Sequence, residues 1–256
     1  MKNVKQRCGL QKDSVEENRI FSKSLLTDSL LIKQPEKGYR YSIDAVILAW
    51  HVNVLGHKRV VDLGTGCGII ALILARRFPH IHIMGIEIQK SLAYLAQCNV
   101  LKNQMTKQVQ IICDDLKNLY TKDIGGPVDM VVANPPFGKA GCTRLGSDKS
   151  KCGATHEIFA TLSDVIECSA RLLNISGTLM MIYPAQRLVE LFHTLRKAGL
   201  EPKRLRTVHP HVFADANRVI VRAVKHGRQE LVIEPPLYVH QANGAYTTEV
   251  EAMFRL

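Results

Sequence analysis

Val60-Val61-Asp62-Leu63-Gly64-Thr65-Gly66-Cys67-Gly68-Ile69-Ile70 decides how this chain folds. Two β-branched residues lead into an acid, then glycines fall at alternate positions, 64, 66 and 68, before an apolar run resumes. That order predicts a strand, a sharp turn and a helix. Glycine lets the backbone turn tightly and approach a ligand, and the unpaired N–H groups at a helix start favour a negatively charged group. Outward from this stretch, strand-like runs alternate with helical patterns. Strands are expected at Arg59–Leu63, Ile81–Ile86, Val109–Cys113, Met130–Ala133 and Thr178–Tyr183. Helices are expected at Ile69–Arg77, Lys90–Lys102, Phe159–Leu173 and Ala185–Ala198. Such alternation implies crossover connections, hence an α/β protein whose parallel sheet is covered by helices on both faces.

The flanks read differently. Residues 1–24 are polar, mixed in charge and aperiodic, and are expected to form a loosely held arm. Asp28–Pro35 predicts a short strand, ended by Pro35 and the Glu36-Lys37-Gly38 turn, and Asp44–Val54 an amphipathic helix. Near the C-terminus, Arg204–His209, Val219–Lys225 and Leu231–Ile233 read as successive strands that finish one edge of the sheet in antiparallel fashion. Neither repeats nor low-complexity tracts break the chain. The expected organisation is an arm with a short strand over residues 1–38, then one domain over 39–256.

Hydrophobic residues make up 46% of the 256 and charged residues 22%, ordinary values for a globular protein. The longest apolar run, Cys67–Ala75, is far too short to span a bilayer, and no apolar stretch follows the N-terminal charges. A cytoplasmic location without a membrane partner is expected. The seven cysteines are scattered and form no C-x-x-C pair, so neither a metal site nor a redox couple is expected. Cys142 and Cys152 bracket a polar loop, but a reducing compartment leaves such thiols free. Charge is more informative. The net value is +11, and between Arg196 and Arg228 nine basic residues face only Glu201 and Asp215. A second basic cluster holds Lys139, Arg144, Lys149 and Lys151. Such a balance suits a polyanion, whose neutralised phosphates release counterions, or else a solvated basic face.

Three further signals carry chemistry. A dinucleotide loop reads G-x-G-x-x-G, whereas the alternate glycines after Asp62 resemble the S-adenosylmethionine loop more closely. Glu87 ends the second strand, where a carboxylate can accept both hydroxyls of a ribose. Asp114-Asp115 closes the third, where a carboxylate can take the amino group of an adenine; Asp115 is preferred with Asp114 left open, and capping of the next turn is the alternative to both. Asn134-Pro135-Pro136-Phe137 then follows the fourth strand. Its two prolines fix φ and carry no N–H, so this stiff backbone offers only acceptors. The Asn134 side-chain oxygen and the Pro135 carbonyl can each accept one N–H of a planar amino group. Phe137 offers a face on which an extruded base stacks.

These residues resemble the class I methyltransferases that modify amino groups, whose motif is N-P-P-[YFW]. With its flanks, Gly38-Tyr39-Arg40-Tyr41-Ser42-Ile43-Asp44, His156-Glu157, Glu234-Pro235-Pro236-Leu237 and Gly244-Ala245-Tyr246-Thr247-Thr248-Glu249, the chain is similar to bacterial tRNA (adenine-N6)-methyltransferases acting beside the anticodon of a valine tRNA. The resemblance covers roughly residues 28–254. It implies a Rossmann-like sandwich with a mostly parallel seven-stranded sheet and an antiparallel edge, S-adenosylmethionine as cofactor and tRNA as partner. It places Asp62, Gly64, Gly66 and Gly68 around the methionine end, Glu87 and Ile88 at the ribose, and Asp115 and Leu116 at the adenine. Ser42 and Asp44 would close over the cofactor, although capping of a helix from Ala45 serves as well. Asn134, Pro135 and Phe137 would hold the acceptor. Relatives carry an arginine before the His156-Glu157 pair, whereas this chain has Thr155, so no RNA contact is assigned there.

Other functions fit less well. Glutamine of a release factor or guanine of ribosomal RNA would keep the chemistry and change the acceptor, but the release-factor enzymes carry a longer helical N-terminal region. A nicotinamide-dependent oxidoreductase conflicts with the glycine spacing. An inactive RNA-binding module conflicts with the retention of Glu87 and Asn134. Lys203, Arg204 and Arg206 are expected to meet tRNA phosphates, the two arginines sharing one strand face.

Overall fold

The computed structural model describes residues 21–27, 30–35, 41–54, 56–135 and 160–255. A central sheet carries the fold. Its parallel part comprises β3 (Arg59–Leu63), β4 (His82–Glu87), β5 (Val109–Cys113), β6 (Val128–Ala133) and β7 (Leu173–Pro184). Beyond β7 come β9 (Arg218–Lys225), antiparallel to its neighbours, and β8 (Leu200–His209). The order is β8-β9-β7-β6-β3-β4-β5, so the seven strands have their antiparallel member one place in from the edge. Two short strands, β10 (Val232–Ile233) and β11 (Leu237–Tyr238), pair in succession with the outer side of β8 and bring the sheet to nine.

Helices cover both faces because strand residues alternate between them. Val60, Ile83, Met130 and Met180 enter one apolar cluster, shared with α1 (Ile43–His51), α2 (Ile69–Arg77) and α3 (Lys90–Lys102). Val61, Met84, Val131 and Leu179 enter the other, under α4 (Leu162–Leu172) and α5 (Leu188–Lys197). Central strands buried on both sides need near-continuous apolar sequence, and Val-Val and Met-Val-Val supply it.

Several boundaries differ from expectation for identifiable reasons. α4 starts at Leu162 rather than Phe159 because Thr161 and Asp164 form a reciprocal cap: the Asp164 N–H donates to the Thr161 hydroxyl (3.2 Å) and the Thr161 N–H to the Asp164 carboxylate (2.8 Å). α1 starts at Ile43, with Ser42 at its cap position making no side-chain capping bond, so the expected capping from Ala45 is not what forms. Phe21–Thr27, expected within or next to a loose arm, forms β1 and pairs antiparallel with β2 (Leu30–Pro35) as a separate two-stranded sheet. Its strand partner, not its own periodicity, makes it a strand. β2 is clamped by α3: Asn99 bonds both backbone groups of Lys33, Asn103 those of Leu31, and Asn99 also donates to the Cys67 carbonyl (2.9 Å). Among the described residues no helix is long and apolar enough to cross a membrane.

Candidate active site

Strand register lines the expected residues along one end of the sheet. Leu63 pairs with Ile86 on one side and Ala133 on the other, so the next residues, Gly64, Glu87 and Asn134, stand at adjacent tips about 4.8 Å apart. Glu87 pairs in turn with Cys113, which precedes Asp114 and Asp115. Four parallel strands thus deliver an acceptor motif, a glycine turn and two acidic tips to one edge, as expected of open α/β sheets, where ligands bind beyond the carboxyl ends.

The glycine turn is shaped by those acids. The N–H groups of Gly64 and Thr65 both donate to the Ile86 carbonyl (2.9 and 3.0 Å), docking the turn onto β4. The Gly66 N–H donates to Glu87 Oε2 (3.0 Å). Gly68 has φ +87°, and a Cβ there would stand 3.3 Å from that of Ala96, so a side chain would both strain the turn and push α3 away. Asp62 is fully buried beneath the turn, where Oδ2 accepts from the Thr65 hydroxyl (2.6 Å). Burial pushes its carboxyl up to about 7, against the stabilising Thr65 hydroxyl and Ala71 amide. Its Oδ1 has no hydrogen-bond partner.

Glu87 is buried too. Its two oxygens accept from Gly66 and from the Gln89 N–H (2.9 Å), and the Ile88 amide supports the same charge. Burial nevertheless raises its pKa. Ribose hydroxyls at this tip would share the carboxylate with those backbone donors. Asp115, the preferred adenine contact, turns back on its own chain: Oδ1 accepts from the Lys117 N–H (2.9 Å) and Oδ2 lies 3.5 Å from the Lys117 ammonium, capping the short turn at Leu116. Asp114 takes the Asp115 N–H (2.8 Å). Leu116 packs against the cluster beneath α4.

Asn134 is half-buried and Pro135 buried directly after β6. Phe137, His156, Glu157, Cys142, Cys152 and the basic cluster Lys139–Lys151 lie outside the described residues. Asp44 sits at the same end of the sheet, but its carboxylate accepts from Arg218 Nε (3.0 Å), which opens β9 beside Pro184. Asp44 therefore ties the start of α1 to the sheet and leaves Ser42 exposed beside it. Nothing in the sequence marked Arg218 as its partner.

The basic stretch is engaged within the chain. Arg204 pairs with Glu234, and Arg206 makes a two-pronged pair with Glu249 (2.7 and 3.0 Å) while also bonding the Pro235 carbonyl and His51. Lys203 reaches Glu230 (3.7 Å). These cations lash the C-terminal segment to β8, so their charges are already matched within the chain. The Glu234-Pro235-Pro236 and Thr248-Glu249 motifs are the other half of that lashing. Replacing Arg204 and Arg206 together with Gln is expected to leave the salt slope of RNA binding unchanged. The same variant should lose about 1–3 kcal/mol of stability in thermal melts, a value held down by the solvent reaching Glu249.

With this geometry in view, residues 42–198 match the model of the methyltransferase small domain, well over half the chain. The chain belongs to the methyltransferase small domain family. Its cofactor is S-adenosylmethionine. Among similar members, a Porphyromonas gingivalis protein named tRNA1(Val) (adenine(37)-N6)-methyltransferase is 30% identical over 75% of this chain and 76% of its own length. A Histophilus somni protein of the same name is 25% identical over 87% of this chain and 91% of its own. Among solved structures, a predicted O-methyltransferase from Agrobacterium tumefaciens superposes with TM-score 0.66 at 21% identity, over 82% of this chain and 95% of that one. That likeness concerns the fold alone.

Proposed function

We propose that this enzyme transfers the methyl group of S-adenosylmethionine to the exocyclic N6 of an adenine in tRNA, the adenosine at position 37 of a valine tRNA being the leading candidate. The observation that supports this most is the placement of Asn134-Pro135 immediately beside the Gly64 turn, on adjacent strand tips. When bound, S-adenosylmethionine supplies an electrophilic methyl on its sulfonium. The residues present suit it: the Gly64–Gly66 backbone for the methionine end, with Asp62 acting from beneath the turn, and the Glu87 carboxylate for the ribose. The Asp114-Asp115 pair, with Ile88 and Leu116 on neighbouring tips, would take the adenine.

The protein's own work is then positioning and electrostatics. The Asn134 oxygen and Pro135 carbonyl each accept an N–H of the target amine. Holding both hydrogens draws the nitrogen lone pair out of conjugation with the ring and stabilises the positive charge that develops there as the methyl passes from sulfur to nitrogen. The proton leaves afterwards, so no general base is required at the moment of attack. A tRNA substrate also agrees with the net charge of +11 and with a cytoplasmic place of work. Incubation with labelled S-adenosylmethionine and total bacterial tRNA, followed by nucleoside analysis, is expected to give N6-methyladenosine. Label in guanosine or only in protein would reject the reading.

A further inference from the structure

The connection from β8 to β9, residues 210–217, stands at the same end of the sheet as Gly64, Glu87 and Asn134. The reason is topological: β9 is antiparallel to both β7 and β8, so β8 finishes where β7 does. Phe213 on this connection is 87% exposed, the most exposed of the large hydrophobic side chains among the described residues, and its neighbour Val212 is 56% exposed. Single exposed apolar residues are common. This one is held out by a bonded frame. His209 Nδ1 donates to the Ala214 carbonyl (2.8 Å), and the Ala214 N–H to the His211 carbonyl (3.0 Å). The Phe213 N–H donates to His211 Nδ1 (3.3 Å). At the base, the Asn217 N–H donates to Val208 and its carbonyl accepts from Ala185, anchoring the loop to both β8 and the end of β7.

We propose that Phe213 is a stacking platform for an unpaired nucleobase of the RNA substrate, a neighbour of the target adenine rather than the target itself. This rests on the tRNA reading above. β9 and β8 are two and three strands from β6, so the loop base stands about 10–15 Å from Asn134 along the sheet. That is too far to touch the reacting base and suits a nucleotide further along the strand. An aromatic face accepts any base, so the contact adds affinity without reading sequence. Arg218 at the loop base is matched by Asp44, so the loop offers the Phe213 ring, flanked by the exposed His211 and Asp215. A second copy of the chain is the poorer occupant, because docking at this rim would shut the edge through which a macromolecular substrate must enter.

The test uses the full-length enzyme and an unmodified valine tRNA transcript. Phe213→Ala is expected to raise the KM for tRNA about 5- to 150-fold, the loss of one base–aromatic stack, with kcat and S-adenosylmethionine affinity within two-fold of wild type. Phe213→Trp should restore the KM, and its indole fluorescence should be quenched as transcript is added. An unchanged KM in Phe213→Ala overturns the platform while leaving the tRNA reading intact. Loss of cofactor affinity in Phe213→Ala would make the residue structural, and a change of mass in sedimentation would assign the face to self-association; either outcome overturns the proposal. If the wild-type enzyme leaves adenine in the transcript unmethylated while total tRNA is also unlabelled, the tRNA reading falls and the platform with it.

Discussion

Glu87→Ala is expected to weaken S-adenosylmethionine binding by about 10²–10⁴-fold, measured by calorimetry on the folded variant. The estimate comes from losing two hydrogen bonds to a charged acceptor, each about 1.5–3 kcal/mol. The carboxylate has a second job that the substitution also removes, since it holds the N–H groups of Gly66 and Gln89. Glu87→Gln separates the two contributions. Its carbonyl oxygen can keep one of those backbone bonds and one ribose contact, while the negative charge is lost. An intermediate affinity is expected, about 10–10²-fold below wild type, with a lowered melting temperature because one backbone N–H then faces the amide NH2. Unchanged cofactor affinity in a folded Glu87→Ala enzyme would remove this residue from the site.

What was legible in the sequence follows from the range over which each feature is determined. Central strands announce themselves because both faces are buried, so Val60-Val61 and Met130-Val131-Val132 are apolar without interruption. Once the strands are parallel, residues directly after each strand must share one edge. Asp62 through Gly68, Glu87, Asp114-Asp115 and Asn134 were therefore placeable without coordinates. Pairings between distant segments were not. Arg206 looked like a free cation because Glu249, which neutralises it, lies 43 residues away on the short helix α6 (Thr248–Ala252). The pairing of Asp44 with Arg218, 174 residues distant, was likewise invisible in the sequence. The bond from Asp115 to the Lys117 amide is local, since a carboxylate two residues before an amide it can cap does so at little entropic cost. β1 was missed for a further reason: Phe21-Ser22-Lys23-Ser24-Leu25-Leu26-Thr27 has no clean alternation, and its pairing with β2 supplies what its composition lacks.

Asn134→Ala is expected to lower turnover by about 10²–10³ while leaving S-adenosylmethionine affinity nearly intact, the order found when one preorganised electrostatic contact is removed. The separation of effects follows from the geometry. Asn134 follows β6, whereas the acids and glycines assigned to the cofactor follow β3, β4 and β5. The residue before a proline is confined to extended backbone, so Pro135 restricts Asn134, and the buried Pro135 ring fixes the peptide that follows. The proposed acceptor thus starts from a restricted backbone. Asn134→Asp sharpens the test. A carboxylate keeps an acceptor at the same place and adds a negative charge opposite the developing positive nitrogen, but it cannot donate as an amide does. If acceptance alone matters, Asn134→Asp retains far more turnover than Asn134→Ala; if the amide N–H also positions the base, both variants fall together. Steady-state rates with saturating S-adenosylmethionine, beside calorimetric cofactor affinities, read both quantities. Turnover within a few-fold of wild type in Asn134→Ala would show that the amine is held by something else.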